Sequence, residues 1–204
     1  MKQSVKDAFV AFTSKFEGVV RWMYLDIKGL VTVGIGNLCD PVGIALGLPF
    51  VHDGDYPASR DEIALAWHTV KDRQDLARLG HRACEHLTTI RLTPEGINQV
   101  VNDKLQENWG FLAKRFPDIE DWPADAQLGI LSMAWAAGPG FIAPKFSACC
   151  RLLDFEGAAR ECRFQDSHNP GLVPRNDANE VLFRNAQNVL GSQLDPEILY
   201  YSVG

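Results

Sequence analysis

Val5, Ala8, Phe9, Phe12 and Phe16 recur at three- and four-residue steps, so residues 4–17 read as an amphipathic helix with one apolar stripe. Ser4 stands where an N-cap belongs, Asp7 lies near the positive helix end, and Gly18 supplies a stop directly after Glu17. From residue 20 to 36 the helical period is lost. Val20, Trp22 and Tyr24, then Val31, Val33 and Ile35, are strand formers, and Asp26-Ile27-Lys28-Gly29 between them signals a turn. Residues 37–58 are rich in glycine and proline and read as a long loop with at most one short helical turn. Within it Asp53-Gly54-Asp55 reads as a plain turn, because the other ligand positions of a calcium loop are missing.

Helical periodicity resumes at Ser59, which forms a capping-box pattern with Glu62. Ile63, Ala66, Trp67 and Val70, then Leu76 and Leu79, make the apolar face of that helix. Thr93-Pro94-Glu95 opens another, carried by Ile97, Val101, Leu105, Leu112 and Phe116 with Trp109 beside the stripe, and closed by Pro117. After Asp121-Trp122-Pro123 the run ADAQLGILSMAWAA is hydrophobic nearly all round, which predicts the buried central helix of a helical lobe, stopped by Gly138-Pro139-Gly140. A last helix turns Leu182, Ala186, Val189 and Leu190 toward the core, and residues 191–204 read as a partly ordered tail. These elements predict an α+β fold, mostly α, with a two- or three-stranded antiparallel sheet; there is no internal repeat.

With 204 residues and 46% hydrophobic content, the chain is long enough for one globular domain, or two lobes, with a sizeable core. A net charge of -6 and the lack of a basic run argue against nucleic acid as a partner. The five cysteines, odd in number and including the adjacent pair Cys149-Cys150, do not form a disulfide framework and point to synthesis in a reducing compartment. No zinc-type spacing occurs, and His81 and His86 are too far apart in sequence to share a helix face, so no metal or cofactor is expected. Residues 1–16 hold no apolar run of signal-peptide length, and no stretch would insert in a membrane.

Chemistry concentrates at 17–36. Glu17 is followed after nine positions by Asp26, after six more by Thr32, then by Gly34 and Gly36. An acid near a helix end and an acid at a hairpin turn can face each other, and two separated carboxyl groups are what hydrolysis of a glycosidic bond requires. Any one of these residues alone would read as a solvated surface group or an ordinary strand residue.

At this spacing the segment resembles the catalytic segment of phage T4-type lysozymes, glycoside hydrolase family 24. Weaker likeness continues at Trp135-Ala136-Ala137-Gly138, where the family's asparagine is missing, at Phe155–Arg160, and at Pro170–Arg175 followed by Glu180, Leu182 and Phe183. It is absent at 38–60 and 117–122. The resemblance implies a single lysozyme-like domain over 1–204: a small sheet lobe at 17–60, a helical lobe of 1–16 and 61–190, with the Ser59 helix joining them, and a polysaccharide cleft between. It implies a muramidase that cleaves the β-1,4 bond between N-acetylmuramic acid and N-acetylglucosamine in peptidoglycan. Glu17 would be the general acid, and Asp26 and Thr32 would position the water. Tyr24, Gly36, Trp135 and Arg175 would contact substrate. An inverting arrangement would place the carboxyl groups roughly 6.5–9.5 Å apart.

The expected partner is a peptidoglycan glycan strand, met by a monomer that is made in the cytoplasm and reaches the wall through a holin or a secretion system. In the second case an immunity protein is a further expected partner. Three rivals stand beside this reading: a lytic transglycosylase, a chitinase-like hydrolase, and an inactive wall-binding module.

Overall fold

The first helix, α1 (Gln3–Thr13), stops four residues before Glu17 rather than at it. Its last turn tightens: Lys15 N–H donates to the Phe12 carbonyl at 3.3 Å and Phe16 N–H to that of Thr13 at 3.1 Å, while the Ser14 hydroxyl donates back to Val10 O at 2.6 Å. Such three-residue bonds use the carbonyls that a continuing helix would need. Phe16 folds back edge-on against Phe12, with ring centroids 5.1 Å apart. The N-cap is Lys2, not Ser4; the Ser4 hydroxyl donates instead to Glu197 O at 2.6 Å. Glu17 therefore sits in a bend between helix and strand.

The computed structural model describes residues 1–167 and 170–202, which divide into two units: 17–104, and 1–16 with 105–204. The chain is α+β and mostly helical, with small antiparallel sheets. The division falls after Lys104 and not near residue 60, so the helix that runs through the boundary is α4 (Pro94–Arg115), not the Ser59 helix.

In the unit of 17–104, β1 (Val20–Leu25), β2 (Val31–Gly34) and β3 (Asn37–Leu38) form a three-stranded antiparallel sheet in that order. Tyr24 lies opposite Thr32 and Leu25 opposite Val31, whereas Val20 pairs with Gly34, so β1 bulges between Val20 and Tyr24. The expected loop at 37–58 has more structure than its glycines and prolines suggest. It holds β3, the short α2 (Val42–Ala45) and β4 (Phe50–Val51), which pairs with β5 (Arg91–Leu92). The reason is Phe50, which is buried and fixes β4 opposite buried Leu92. Asp53-Gly54-Asp55 is a turn closed by Asp55 N–H to His52 O at 3.1 Å. Helix α3 (Arg60–Lys71) starts at the Ser59–Glu62 capping box and buries Ile63, Ala66, Trp67 and Val70. It ends at Lys71, so Leu76 belongs to a separate 3-10 turn and Leu79 is 66% exposed.

In the other unit, α5 (Ala124–Ala137) is buried continuously from Ala124 to Ala134 and is stopped by Gly138 at φ 82. Around it lie α6 (Pro144–Arg151), α7 (Phe155–Glu161) and α8 (Val173–Gly191). Phe146, Phe155 and Phe183 cluster between these helices, fully buried, each contributing about 1.5–3 kcal/mol of transfer free energy. Gly129 permits the close approach of α5 and α8, because a Cβ there would meet the Phe183 ring at 2.9 Å. The C-terminal segment is tied down: Pro196 O accepts from Ala124 N–H at 2.9 Å, Tyr200 N–H donates to Asp125 Oδ2 at 2.8 Å, and Glu197 pairs with Lys2. Val203 and Gly204, the end of the expected tail, lie outside the described residues.

Candidate functional site

The β1–β2 connection is built by Asp26. Its Oδ1 accepts from Lys28 N–H at 2.8 Å and Leu30 N–H at 2.9 Å, and its own N–H donates to Leu30 O at 2.9 Å. Aspartate at a turn does this because its short side chain reaches backbone amides two residues on. Gly29 takes φ 74, a conformation that side chains with a Cβ adopt only at a cost. Asp26 remains half-buried, and no described bond uses its Oδ2. Thr32 is 5% exposed, and its hydroxyl donates to Leu30 O at 3.3 Å. The Leu30 peptide thus links the two residues, bonding Asp26 through its N–H and Thr32 through its carbonyl.

The β2–β3 turn is held by a residue that sequence reasoning missed. Asn37 Oδ1 accepts from Ile35 N–H at 3.0 Å, and a Cβ on Gly34 would meet that oxygen at 2.8 Å. Gly34 and Gly36 have φ 67 and 74. An asparagine directly after a Gly-x-Gly run is the signal that could have identified it. A second missed device is the Asp40–Lys71 pair. Asp40 Oδ2 accepts from Lys71 Nζ at 2.6 Å and Val31 N–H at 3.1 Å, and Lys71 also donates to Gly29 O at 2.9 Å. Burial alone would raise the Asp40 pKa, but the hydrogen bonds from Lys71 and Val31, with the ammonium charge, hold it below the ordinary carboxylate value. One lysine on α3 thereby clips both the hairpin turn and the end of the sheet.

Glu17 enters this arrangement beside Gly36. A Cβ on Gly36 would stand 4.0 Å from Glu17 Oε2, and Glu17 is half-buried. Tyr24 reports on both acids: its phenol is pushed up to about 12, first by burial, then by the charges of Glu17, Asp26 and Cys39. Glu17, Tyr24, Asp26, Thr32 and Gly36 thus lie in one unit, on one small sheet and its entry, and Tyr24 remains a protonated donor at any physiological pH.

The other two residues expected to touch substrate belong to the other unit. Trp135, near the end of α5, is half-buried and packs edge-on against Phe9 with centroids 5.1 Å apart. Arg175 is 1% exposed, lies 4.8 Å above the centroid of Phe16, and donates to Ser132 O at 3.3 Å. That burial corrects the expectation for Arg175: a side chain enclosed to this extent does not reach a polymer from solvent, and its described contacts tie α8 to α5 and to the segment after α1.

Among the described residues no group of three or more His, Cys, Asp or Glu side chains is arranged to hold a metal ion, and no helix is long and apolar enough to cross a membrane. The five cysteines are free thiols, with Cys39, Cys84, Cys150 and Cys162 buried. No family model, curated protein or solved structure matches the chain.

Proposed function

We propose that this protein is a peptidoglycan hydrolase of the T4-type lysozyme class, a muramidase acting on the β-1,4 bond between N-acetylmuramic acid and N-acetylglucosamine. The observation that carries the reading is the placement of two carboxylates on one small sheet: Glu17 stands against Gly36 at the β2–β3 turn, Asp26 builds the β1–β2 turn, and Tyr24 lies opposite Thr32 on the strands between. Glycosidic hydrolysis needs one carboxyl group to protonate the leaving oxygen and a second to activate water. Glu17 takes the first role. Asp26 takes the second through Oδ2, since its Oδ1 is committed to the turn. The Thr32 hydroxyl, whose proton goes to Leu30 O, accepts from the water and orients it. The Tyr24 phenol donates to a sugar oxygen nearby. The substrate is a glycan strand, reached after delivery through a holin or a secretion system.

Release of reducing ends from purified peptidoglycan tests the proposal. Glu17→Gln is near-isosteric but has no proton to give, so turnover should fall by about 10²–10⁴-fold with the fold unchanged by circular dichroism. Near wild-type turnover by that variant would remove Glu17 as the acid. Mass spectrometry of the products separates hydrolysis from transglycosylation, because an anhydro end is one water lighter.

A further inference from the structure

In the unit of residues 1–16 and 105–204, two guanidiniums share a hollow that no carboxylate lines. Arg115, the last residue of α4, and Arg151, the last residue of α6, border a concavity of about 430 Å³ with Phe141, Ile142, Pro144 and Ser147. Both cations stand on one ring: Arg115 lies 5.2 Å and Arg151 5.5 Å from the centroid of Phe116. Arg115 is held in place by two residues that border the hollow, donating Nη1–H to Phe141 O at 2.7 Å and Nη2–H to Ser147 Oγ at 2.7 Å. Ser147 in turn donates to Ala143 O at 2.8 Å, so its one proton is used and its oxygen faces Arg115 as an acceptor. These bonds use two of the five N–H groups of the guanidinium. Arg151 is exposed, and its described contact is the Phe116 ring. Asp118 and Asp121 line neighbouring hollows that Arg151 also borders, without an ion pair to it among the described residues.

Burial and the nearby charge of Arg151 both disfavour the Arg115 cation, and the one acidic group that would offset them, the Cys150 thiol, is itself pushed up by burial and stays uncharged at neutral pH. Two like charges at one concave site persist at a cost that a bound anion would remove. The first turn of α6 opens at the same hollow. Its N-cap, Ala143, supplies no side-chain cap, and Pro144 at the first position has no N–H, which leaves the amides of Lys145 and Phe146 without helical carbonyl partners.

The geometry points to an oxyanion site between Arg115 and Arg151 at the N-terminal turn of α6, and we infer that it takes a phosphate group, either a free phosphate ester or a lipid headgroup. Phosphate suits it better than a carboxylate, because two forked cations and a helix terminus can engage three oxygens at once. Ile142, 92% exposed at the rim, would lie against the apolar part of a lipid.

The site is tested by titrating isotopically labelled protein with inorganic phosphate at constant ionic strength, with acetate as control, and following amide resonances. Saturable shifts at Lys145 and Phe146 are expected, weakened about tenfold or more in Arg151→Gln, which removes one charge-assisted fork from an exposed position and leaves the fold intact. Acetate should bind more weakly than phosphate. Sedimentation with phosphatidylglycerol vesicles, against phosphatidylcholine, separates the two sources: binding that is lost in both Arg151→Gln and Ile142→Ser identifies a lipid headgroup, and phosphate saturation without vesicle binding identifies a free ester. Non-saturating shifts, or equal phosphate affinity in wild type and Arg151→Gln, overturn the inference.

Discussion

Asp26 and Asp125 are both aspartates that accept two N–H groups, yet the regions around them treat the carboxylate in opposite ways. At the hairpin, Asp26 gives one oxygen to two backbone amides and keeps the other out of the turn, half-buried. At the start of α5, Asp125 is fully buried and gives one oxygen to Asn185 Nδ2 at 2.9 Å and the other to Tyr200 N–H at 2.8 Å. Both oxygens of Asp125 are spent in holding the helical unit together. Gln127 there receives Lys2 N–H and donates to Ile119 O, both at 2.9 Å. The hairpin instead satisfies its backbone with part of each polar side chain and leaves the rest available. A carboxylate serves chemistry in the second setting and architecture in the first.

The largest expected effect comes from separating those two uses at Asp26. Asp26→Asn keeps an oxygen for Lys28 and Leu30 but loses the base, so turnover of peptidoglycan should fall by about 10²-fold or more while the unfolding midpoint barely moves. Asp26→Ala should lose the same activity and also about 1–2 kcal/mol of stability, because two amides lose their acceptor. If Asp26→Asn loses stability as Asp26→Ala does and retains activity, Asp26 is an architectural residue like Asp125, and the contrast between the regions disappears.

The next effect belongs to the helical unit. Gly129→Val places branched atoms where the Phe183 ring already stands 2.9 Å from an ideal Cβ, and that ring is boxed in by Phe146 and Phe155. Overpacking of this kind costs about 1–3 kcal/mol, visible in urea denaturation as a lower midpoint at unchanged slope. Turnover by the folded fraction should stay near wild type, since the proposed catalytic groups lie in the other unit.

Acid should act on the two regions with opposite sign. Asp40, held below its ordinary value by Lys71 and Val31 against the effect of burial, contributes stability that is fully present above the unfolded carboxylate value near about 3.9 and lost as pH falls through the lower folded one. Asp125 is raised by burial, only partly offset by the bonds from Tyr200 and Asn185. Its contribution is therefore fully present below the unfolded value and lost as pH rises through the folded one. Thermal melts across that range should show Asp40→Asn less stable than wild type at neutral pH, with the difference shrinking in acid. Asp125→Asn should equal or exceed wild type at neutral pH and lose that advantage in acid, with Asn185 turning its amide to match. Parallel profiles for the two variants would show that the carboxylates are not treated differently.

Much of this contrast is written in the chain, unevenly. The all-round hydrophobic run at 124–137 can only be a buried helix, and Ser59 with Glu62 states its own capping box. The hairpin turn is equally plain, since Asp26 and Gly29 act within five residues. Features that depend on distant residues were not legible. Phe50 and Leu92 make a strand pair out of a segment that reads as loop, and Lys71 reaches back across the sequence to Asp40 and Gly29. The end of α1 differs from the sequence expectation for a local reason: Phe16 continues the apolar period, but competing three-residue bonds at Phe12 and Thr13 close the helix first. Arg175 shows the same limit, because a motif match says nothing about whether its guanidinium faces solvent or, as here, Phe16 and Ser132.

The smallest effect sharpens the hairpin side of the comparison at Gly36. Two reasons could call for glycine there: the backbone, at φ 74, or room for a sugar over an exposed position beside Glu17 Oε2. Alanine confounds them, since it pays about 1–2 kcal/mol for left-handed geometry and also adds a methyl group. Asparagine separates them, because it tolerates that geometry far better yet carries a larger side chain. A contact of 4.0 Å from an ideal Cβ to Glu17 is ordinary van der Waals distance, so the Cβ that both residues add does not clash within the protein. If substrate passes over this turn, Gly36→Asn should melt closer to wild type than Gly36→Ala and yet turn over peptidoglycan more slowly than Gly36→Ala. The opposite ranking, with activity following stability through both variants, would mean that Gly36 serves the backbone alone and that the sugar lies elsewhere on the hairpin.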